Sequence, residues 1–299
     1  MTISAKPPAE VSIDAPLVRA LLQDQHPDLA HLSLEDVGEG WDNKLFRLGD
    51  SLAVRLPRRA AAATLIAHEQ RWLGELAPRL PLPIPVPRRI GLPGRGYPWS
   101  WSVTSWFPGR PALLEPPHDF VATGIELGSF LAALHRPAPD DAPLNPWRGI
   151  PLAGRAASVR THLARLGGLV DQRAALDLWQ RALAAPAWSG PPLWLHGDLH
   201  PGNLVIFDGH LSAIVDFGDL TAGDPATDLS VMWMLLPGSA RSAFVEAAGA
   251  AFYSVDRDIV MRARGWALAL SLAYLANSRD DGALAALGSA TLSAVLSDD

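Results

Sequence analysis

His196-Gly197-Asp198-Leu199-His200-Pro201-Gly202-Asn203, followed by Ile214-Val215-Asp216-Phe217-Gly218, is the stretch that decides how this chain is read. Two carboxylates and an amide stand in the order that phosphoryl transfer from a nucleotide uses. Asp198 can accept a hydroxyl proton. Asn203, five residues later, and Asp216, eighteen after Asp198, offer hard oxygen ligands suited to Mg²⁺. Between them Leu204 to Phe207 and Leu211 to Val215 are apolar runs around Asp208-Gly209, the pattern of a β-hairpin. A hairpin with ligands at its two outer ends brings those ends to one place.

Composition narrows the class. The chain has 299 residues, enough for two lobes and a sizeable core. Hydrophobic content of 48% and charged content of 19% suit a soluble globular protein. The net charge of −6, without a basic stripe, argues against nucleic acid as a partner. With no cysteine, disulfides, Cys-based zinc sites and cysteine nucleophiles are excluded. Residues 1–15 lack a signal-peptide core, and the apolar run Trp266 to Ala276 is too short to span a bilayer. The expectation is a cytoplasmic protein with no membrane partner. Only Lys6 and Lys44 are lysines, so other cationic work falls to arginine.

Working outward, residues 1–12 read as a loosely docked tail, and Asp14 as the N-cap of a short helix. Leu32 to Val37, Lys44 to Leu48 and Ser51 to Leu56 read as strands, the first two joined by Gly38-Glu39-Gly40-Trp41-Asp42-Asn43. Residues 60–77 carry a helical pattern that puts Glu69 on the same face as Leu65, Trp72, Leu73 and Leu76, so Glu69 needs a buried partner. Pro78 to Pro87 reads as an extended connection inside the fold. Trp99 to Phe107 reads as a strand ended by Pro108-Gly109. Helices are then expected at Phe120 to His135, Val159 to Leu166, Ala174 to Leu183, Asp228 to Leu236, Arg241 to Phe252 and Asp258 to Asn277. Gly223-Asp224-Pro225 reads as a helix start, with Asp228 bracing the catalytic loop. The absence of a Walker sequence argues against a P-loop kinase.

The patterns H-G-D-x-H-x-x-N and Asp216-Phe217-Gly218 resemble the aminoglycoside phosphotransferase family more than the protein kinases. The resemblance runs from about residue 33 to 280. It implies an α+β, two-lobed protein-kinase-like fold. Its small antiparallel β-sheet N-lobe with one helix would be the nucleotide-binding lobe, 1–107. The larger, mainly helical C-lobe, 108–299, would hold the catalytic and metal loops and the acceptor site. It implies Mg²⁺-dependent transfer of the γ-phosphoryl group of ATP or GTP to a hydroxyl of a small molecule, most simply an aminoglycoside-type antibiotic. A macrolide or a metabolic alcohol is an alternative acceptor, and a nucleotide-binding protein without transfer activity is the non-enzymatic alternative.

Carried over residue by residue, the resemblance makes Asp198 the catalytic base and Asn203 and Asp216 the Mg²⁺ ligands. Arg55 would grip the nucleotide phosphates where the family commonly has Lys, with Glu69 as its helix partner. Gly38, Gly40 and Asn43 belong to the loop over the phosphates, and Lys44 is a rival phosphate contact or a solvated lysine. Ser105, through its carbonyl, and Phe107, through its N–H, would meet the adenine edge, with Thr104 behind. His196 and His200 would hold the loop. Asp219 flanks it as a candidate substrate contact. Glu246, Asp256, Asp258, Asp280 and Asp281 could receive a polycationic acceptor. No long activation segment ending in Ala-Pro-Glu is present, which argues against a peptide acceptor.

Overall fold

The structure, a computed structural model, describes residues 7–250, 252–278 and 281–297. Helix α1 (Ala15–Gln25) starts on the Asp14 carboxylate, which accepts the Leu17 N–H at 2.9 Å. Strands β1 (Leu34–Glu39), β2 (Asn43–Leu48) and β3 (Leu52–Pro57) follow at the three sites the sequence predicts. With β4 (Pro87–Gly91) and β5 (Trp101–Ser105) they form an antiparallel sheet in the order β1-β2-β3-β5-β4. Phe46, Leu48, Val54, Leu56, Trp101 and Val103 close this sheet against α1.

Helix α2 (Ala60–Leu76) lies beside the sheet and buries Glu69 along with Trp72, Leu73 and Leu76, as its periodicity requires. Those three apolar residues join the larger core that fills the rest of the molecule. One helix therefore belongs to both halves by packing. Its first N–H, on Ala60, is capped at 3.0 Å by the Glu10 carboxylate, so the described part of the expected loose tail is tied down. Pro78 to Pro87 runs extended after one 3₁₀ turn at Ala77–Arg79, and the Ile214 N–H donates to the Pro83 carbonyl at 3.1 Å.

The second half is helical: α3 (Phe120–Leu134), α4 (Ala156–Leu166), α5 (Gln172–Ala184), α6 (Ala226–Leu229), α7 (Val231–Leu235), α8 (Gly238–Ala248), α9 (Arg257–Asn277) and α10 (Gly282–Ser297). Helix α9 is long and apolar enough to cross a membrane, but 72% of that window is buried inside the protein, the position of a core helix. Helices α4, α5, α6 and α10 pack around it.

Three expectations change here. Asp228 to Leu236 is not one helix: it divides into α6 and α7 at Ser230, whose hydroxyl donates to the Thr227 carbonyl at 2.6 Å and competes with the helical ladder. Helix α8 ends at Ala248, before Phe252, because the chain turns to place Tyr253 2.8 Å from His135 Nδ1. Helix α10, rich in Ala, Gly and Ser, was not anticipated; nor were β4 and the short strands β6 (Arg110–Pro111), β7 (Leu193–Leu195) and β10 (Thr221–Gly223). Strands of two or three residues are too short to carry a period.

The hairpin is present as β8 (Leu204–Phe207) and β9 (His210–Ile214). Asp208 and Gly209, with φ of 52° and 77°, are both left-handed, as a tight hairpin turn demands.

Candidate active site

The hairpin carries its two outer ends to one edge of a cavity of about 340 Å³, lined among others by Asn203, Asp216, Arg55 and the β5 end. The Val215 N–H donates to the Asn203 carbonyl at 2.9 Å, fixing the ends side by side. The Asn203 amide nitrogen donates to the Asp198 carbonyl at 2.9 Å, which leaves its Oδ1 as the free end. Asp216 has φ +61°, an uncommon conformation for a residue with a side chain, and its side chain is 55% exposed. Two oxygen donors thus meet at the cavity, a donor set that fits Mg²⁺, which binds few protein ligands and takes others from phosphates. Among the described residues no group of three or more His, Cys, Asp or Glu forms a cage of its own.

Arg55, on β3, lies across the same edge. Its Nη1 donates to both Glu69 oxygens, at 2.8 and 3.0 Å, and its Nη2 to Asp216 Oδ1 at 3.0 Å. The fork that distinguishes Arg from Lys is used in full, joining sheet, helix and metal-loop candidate in one contact. Burial alone would lower the Arg55 pKa, but the charges of Glu69 and Asp216 outweigh it, so Arg55 stays protonated.

The turn from Glu39 to Asn43 covers the cavity. Gly40, Asn43, Trp41 and Asp42 line it, and the Gly40 N–H donates to the Asn43 carbonyl at 2.8 Å. Gly38, at φ +122°, sits in a β1 bulge just outside the lining, where Val37 takes its place. Arg58 holds the turn through the Gly40 and Trp41 carbonyls and Glu39, and Arg59 pairs with Asp42. Lys44 pairs with Asp36 at 2.7 Å and does not line the cavity. At the opposite wall, the Trp106 N–H is used by the Ser51 carbonyl, while Thr104, Ser105 and Phe107 line the cavity. The Phe107 N–H has no backbone partner among the described residues.

The catalytic-loop candidate is built on Asp228. This fully buried carboxylate accepts the His196 N–H at 2.7 Å and the Gly197 N–H at 2.9 Å, and lies 3.2 Å from His135 Nε2. Gly197 is required twice over: its φ is +86°, and a Cβ there would stand 2.1 Å from the Asp219 carbonyl oxygen. His196 holds the loop by donating from Nε2 to the Val215 carbonyl at 3.0 Å and accepting the Asp198 N–H on Nδ1 at 3.3 Å. His200 Nδ1 accepts the Gly202 N–H at 3.0 Å, and its Nε2 stands 3.6 Å from Asp198 Oδ2. Asp224 Oδ1 accepts the Ala226 N–H at 3.0 Å and pairs with Arg262, so the expected helix start is present one residue on.

Sequence reading missed the other side of Asp198. Arg148, in the loop between α3 and α4, donates from Nη2 to Asp198 Oδ1 at 2.7 Å, with Nε 3.6 Å from Asp219 Oδ2. Asn145 holds Asp219 from Nδ2 at 2.7 Å. Burial would raise the Asp198 pKa, but Arg148 and His200 outweigh it and hold the carboxyl well below its usual range. Burial raises Asp219, only partly offset by Arg148. A lone Arg in a Pro- and Gly-containing loop has no spacing signal that could have revealed it.

The acidic residues considered for a cationic acceptor do not assemble. Asp256 accepts the Ile259 N–H and Asp281 the Ala283 and Leu284 N–H groups, as helix caps. Glu246 is exposed on α8, Asp258 is exposed in the first turn of α9, and Asp280 lies outside the described residues.

The model of the Phosphotransferase enzyme family matches residues 33–265. A homoserine kinase of Acidiphilium cryptum (strain JF-5) is 30% identical over 226 residues, 69% of this chain and 66%, just under two thirds, of that relative. Among solved structures, the GDP complex of wild-type aminoglycoside 2'-phosphotransferase-IIIa superposes with a TM-score of 0.69 at 18% identity, covering 95% of this chain and 99% of that one. The apoenzyme of a macrolide 2'-phosphotransferase from Brachybacterium faecium superposes with a TM-score of 0.64 at 22% identity, covering 93% and 97%. The kinase-like fold of these structures is the fold described above, and the match over residues 33–265 carries both the Asp198 loop and the Asp216 hairpin. This chain therefore belongs to the phosphotransferase enzyme family.

Proposed function

We propose that this chain transfers the γ-phosphoryl group of ATP or GTP, with Mg²⁺, to a hydroxyl of a small molecule in the cytoplasm. The observation that carries the reading is the cavity edge where Asn203, Asp216 and Arg55 converge, with Asp198 tied to it through the Asn203 amide on its carbonyl. The nucleotide base fits the wall at Thr104, Ser105 and Phe107, and Arg55 and the Gly40–Asn43 turn stand where its phosphates would lie. That the similar aminoglycoside enzyme was solved as a GDP complex supports a nucleotide as cosubstrate. Asn203 Oδ1 and Asp216 would hold Mg²⁺, which supplies charge neutralisation on the phosphates.

Asp198 orients the acceptor hydroxyl. As the acceptor oxygen bonds to the γ-phosphorus, the bond to the bridging oxygen breaks, the nucleoside diphosphate leaves, and the hydroxyl proton passes to Asp198. Because Arg148 lowers the basicity of Asp198, positioning contributes more than proton affinity, as suits a dissociative transition state.

The names of the similar proteins span homoserine, aminoglycoside and macrolide acceptors. Arg58 and Arg59 anchor the Gly40–Asn43 turn, so this pair does not choose among acceptors. The test is nucleoside diphosphate release from Mg²⁺-ATP and Mg²⁺-GTP across aminoglycosides, macrolides and simple alcohols. Acceptor-dependent release, lost in Asp198→Ala, is expected. Nucleotide binding without release for any acceptor would favour a non-catalytic nucleotide-binding protein.

A further inference from the structure

Among the described residues five arginines are buried: Arg55, Arg58, Arg155, Arg262 and Arg264. Arg55, Arg58 and Arg262 are paired with carboxylates, and Arg264 donates to the Val295 carbonyl. Arg155 differs. It is 6% exposed and no described residue gives it a hydrogen bond or an ion pair; its Nε, like that of Arg58, is sealed from solvent without a partner. Its neighbours are the faces of Trp147 and Trp266, at 5.9 and 5.8 Å. Such contacts offset only part of the loss of hydration of a buried cation, so this one calls for an anion. Burial and the nearby charge of Arg148 lower its pKa to about 10, the mark of a guanidinium that nothing neutralises.

Its place is informative. Arg155 follows Arg148 along one segment, and Arg148 touches Asp198. That segment is clamped: the Gly149 N–H donates to Thr227 Oγ1 at 3.2 Å, and its carbonyl accepts the Asp224 N–H at 2.9 Å. Around the pair, Trp266 Nε1, Tyr274 Oη and His162 Nδ1 are buried without partners. Burial and the positive charges of Arg165 and Arg155 keep His162 toward its neutral form. Both Arg148 contacts are carboxylates, so Arg148 is neutralised in place, and Arg155 is left with one free positive charge. Trp147, against Arg155, is 59% exposed.

We propose that Arg155 is the acceptor-binding cation of this site, and that the acceptor alcohol carries a carboxylate which docks on Arg155 while its hydroxyl faces Asp198. The inference rests on the phosphotransferase reading above and names its acceptor class as hydroxy carboxylates. A single free cation matches a monoanion; a phosphate ester would need a second. The same cation repels an ammonium-rich acceptor.

The test uses the full chain and three acceptor pairs that differ by the carboxylate alone: homoserine and 3-aminopropan-1-ol, threonine and 1-aminopropan-2-ol, serine and 2-aminoethanol. Nucleoside diphosphate release and calorimetric binding to the Mg²⁺–nucleoside diphosphate complex are measured for each, alongside kanamycin and glycerol phosphate. At least one acid should exceed its decarboxylated partner in kcat/KM by about 10–100-fold, the worth of a charge-assisted hydrogen bond. Arg155→Met should erase that preference through KM, and Arg155→Lys should restore part of it. Nucleotide affinity measured on both variants shows whether they fold. Release with kanamycin, glycerol phosphate or the amino alcohols, without preference for any acid, would overturn the acceptor class and leave the phosphotransferase reading intact. Failure of all three acids to bind at millimolar concentration would also overturn it. Absence of release with every acceptor, aminoglycosides and macrolides included, would sink the parent reading instead.

Discussion

Arg55 and Arg148 each hold two carboxylates, yet the two triads are built for different work. In the first, Glu69 is a buried partner with a side chain 3% exposed, and Asp216 is a solvent-facing one at 55%. Arg55 thus has an anchored arm and an arm shared with whatever occupies the cavity. In the second, Asp198 and Asp219 are alike at 29% and 28%, and Arg148 itself is 16% exposed. That triad is a half-open charge balance at the point where an acceptor must enter. A buried anchor sets position, whereas a half-open pair sets the protonation state of the group it touches.

The largest effect should separate the triads by chemistry. Asp198→Ala is expected to lower turnover by about 10²–10⁴-fold while nucleotide affinity, measured by calorimetry, holds. Full turnover in that variant would move the reacting side away from the Arg148 triad. Next, the two partners of Arg55 should behave unlike each other. Glu69→Ala strands a buried guanidinium and should lower the unfolding free energy in urea by about 3 kcal/mol, the low end for such a loss because Asp216 keeps one arm. Asp216→Ala should change stability by less than about 1 kcal/mol, since its side is solvated, but should weaken Mg²⁺-nucleotide binding. Equal stability losses would break the distinction between anchor and shared arm.

The smallest effect is in pH. The folded-state pKa of Asp198 is depressed below its ordinary 3.8, so its ion pair contributes stability above that value and loses it as pH falls through the folded pKa. An acid limb of kcat/KM due to Asp198 therefore lies below pH 3.8 in the parent protein. Arg148→Gln removes the main opposing charge, leaves burial and His200, and should move that limb upward toward neutrality. A rate profile unmoved by the substitution would show that Arg148 does not set the charge of Asp198.

The first triad was legible in part and the second was not. The helical period turned Glu69 inward and called for a partner, and the family resemblance named Arg55 as that partner. The hairpin that brings Asp216 beside Asn203 was legible because it is local: its turn residues, Asp208 and Gly209, and its two apolar runs lie within fourteen positions of Asn203, whereas the Arg55–Asp216 contact spans 161 positions. Arg148 and Asp198 are fifty residues apart, and Arg148 stands in a loop with no repeat. Even α6 and α7 misled as one helix, since the Ser230 bond to Thr227 is a choice made inside a packed core.

By itself, then, the amino-acid sequence determined which residues are candidates for the site, in what order, and which strand, helix and hairpin would carry them. These are properties of periods, turns and spacings shorter than twenty residues. The tertiary structure alone decided what surrounds Asp198. Arg148 holds its pKa down, and Arg155 stands beside two tryptophans without a partner among the described residues. The physical reason is that a buried charge takes its partner from whatever the fold brings within a few ångströms, and chain proximity leaves no trace of that.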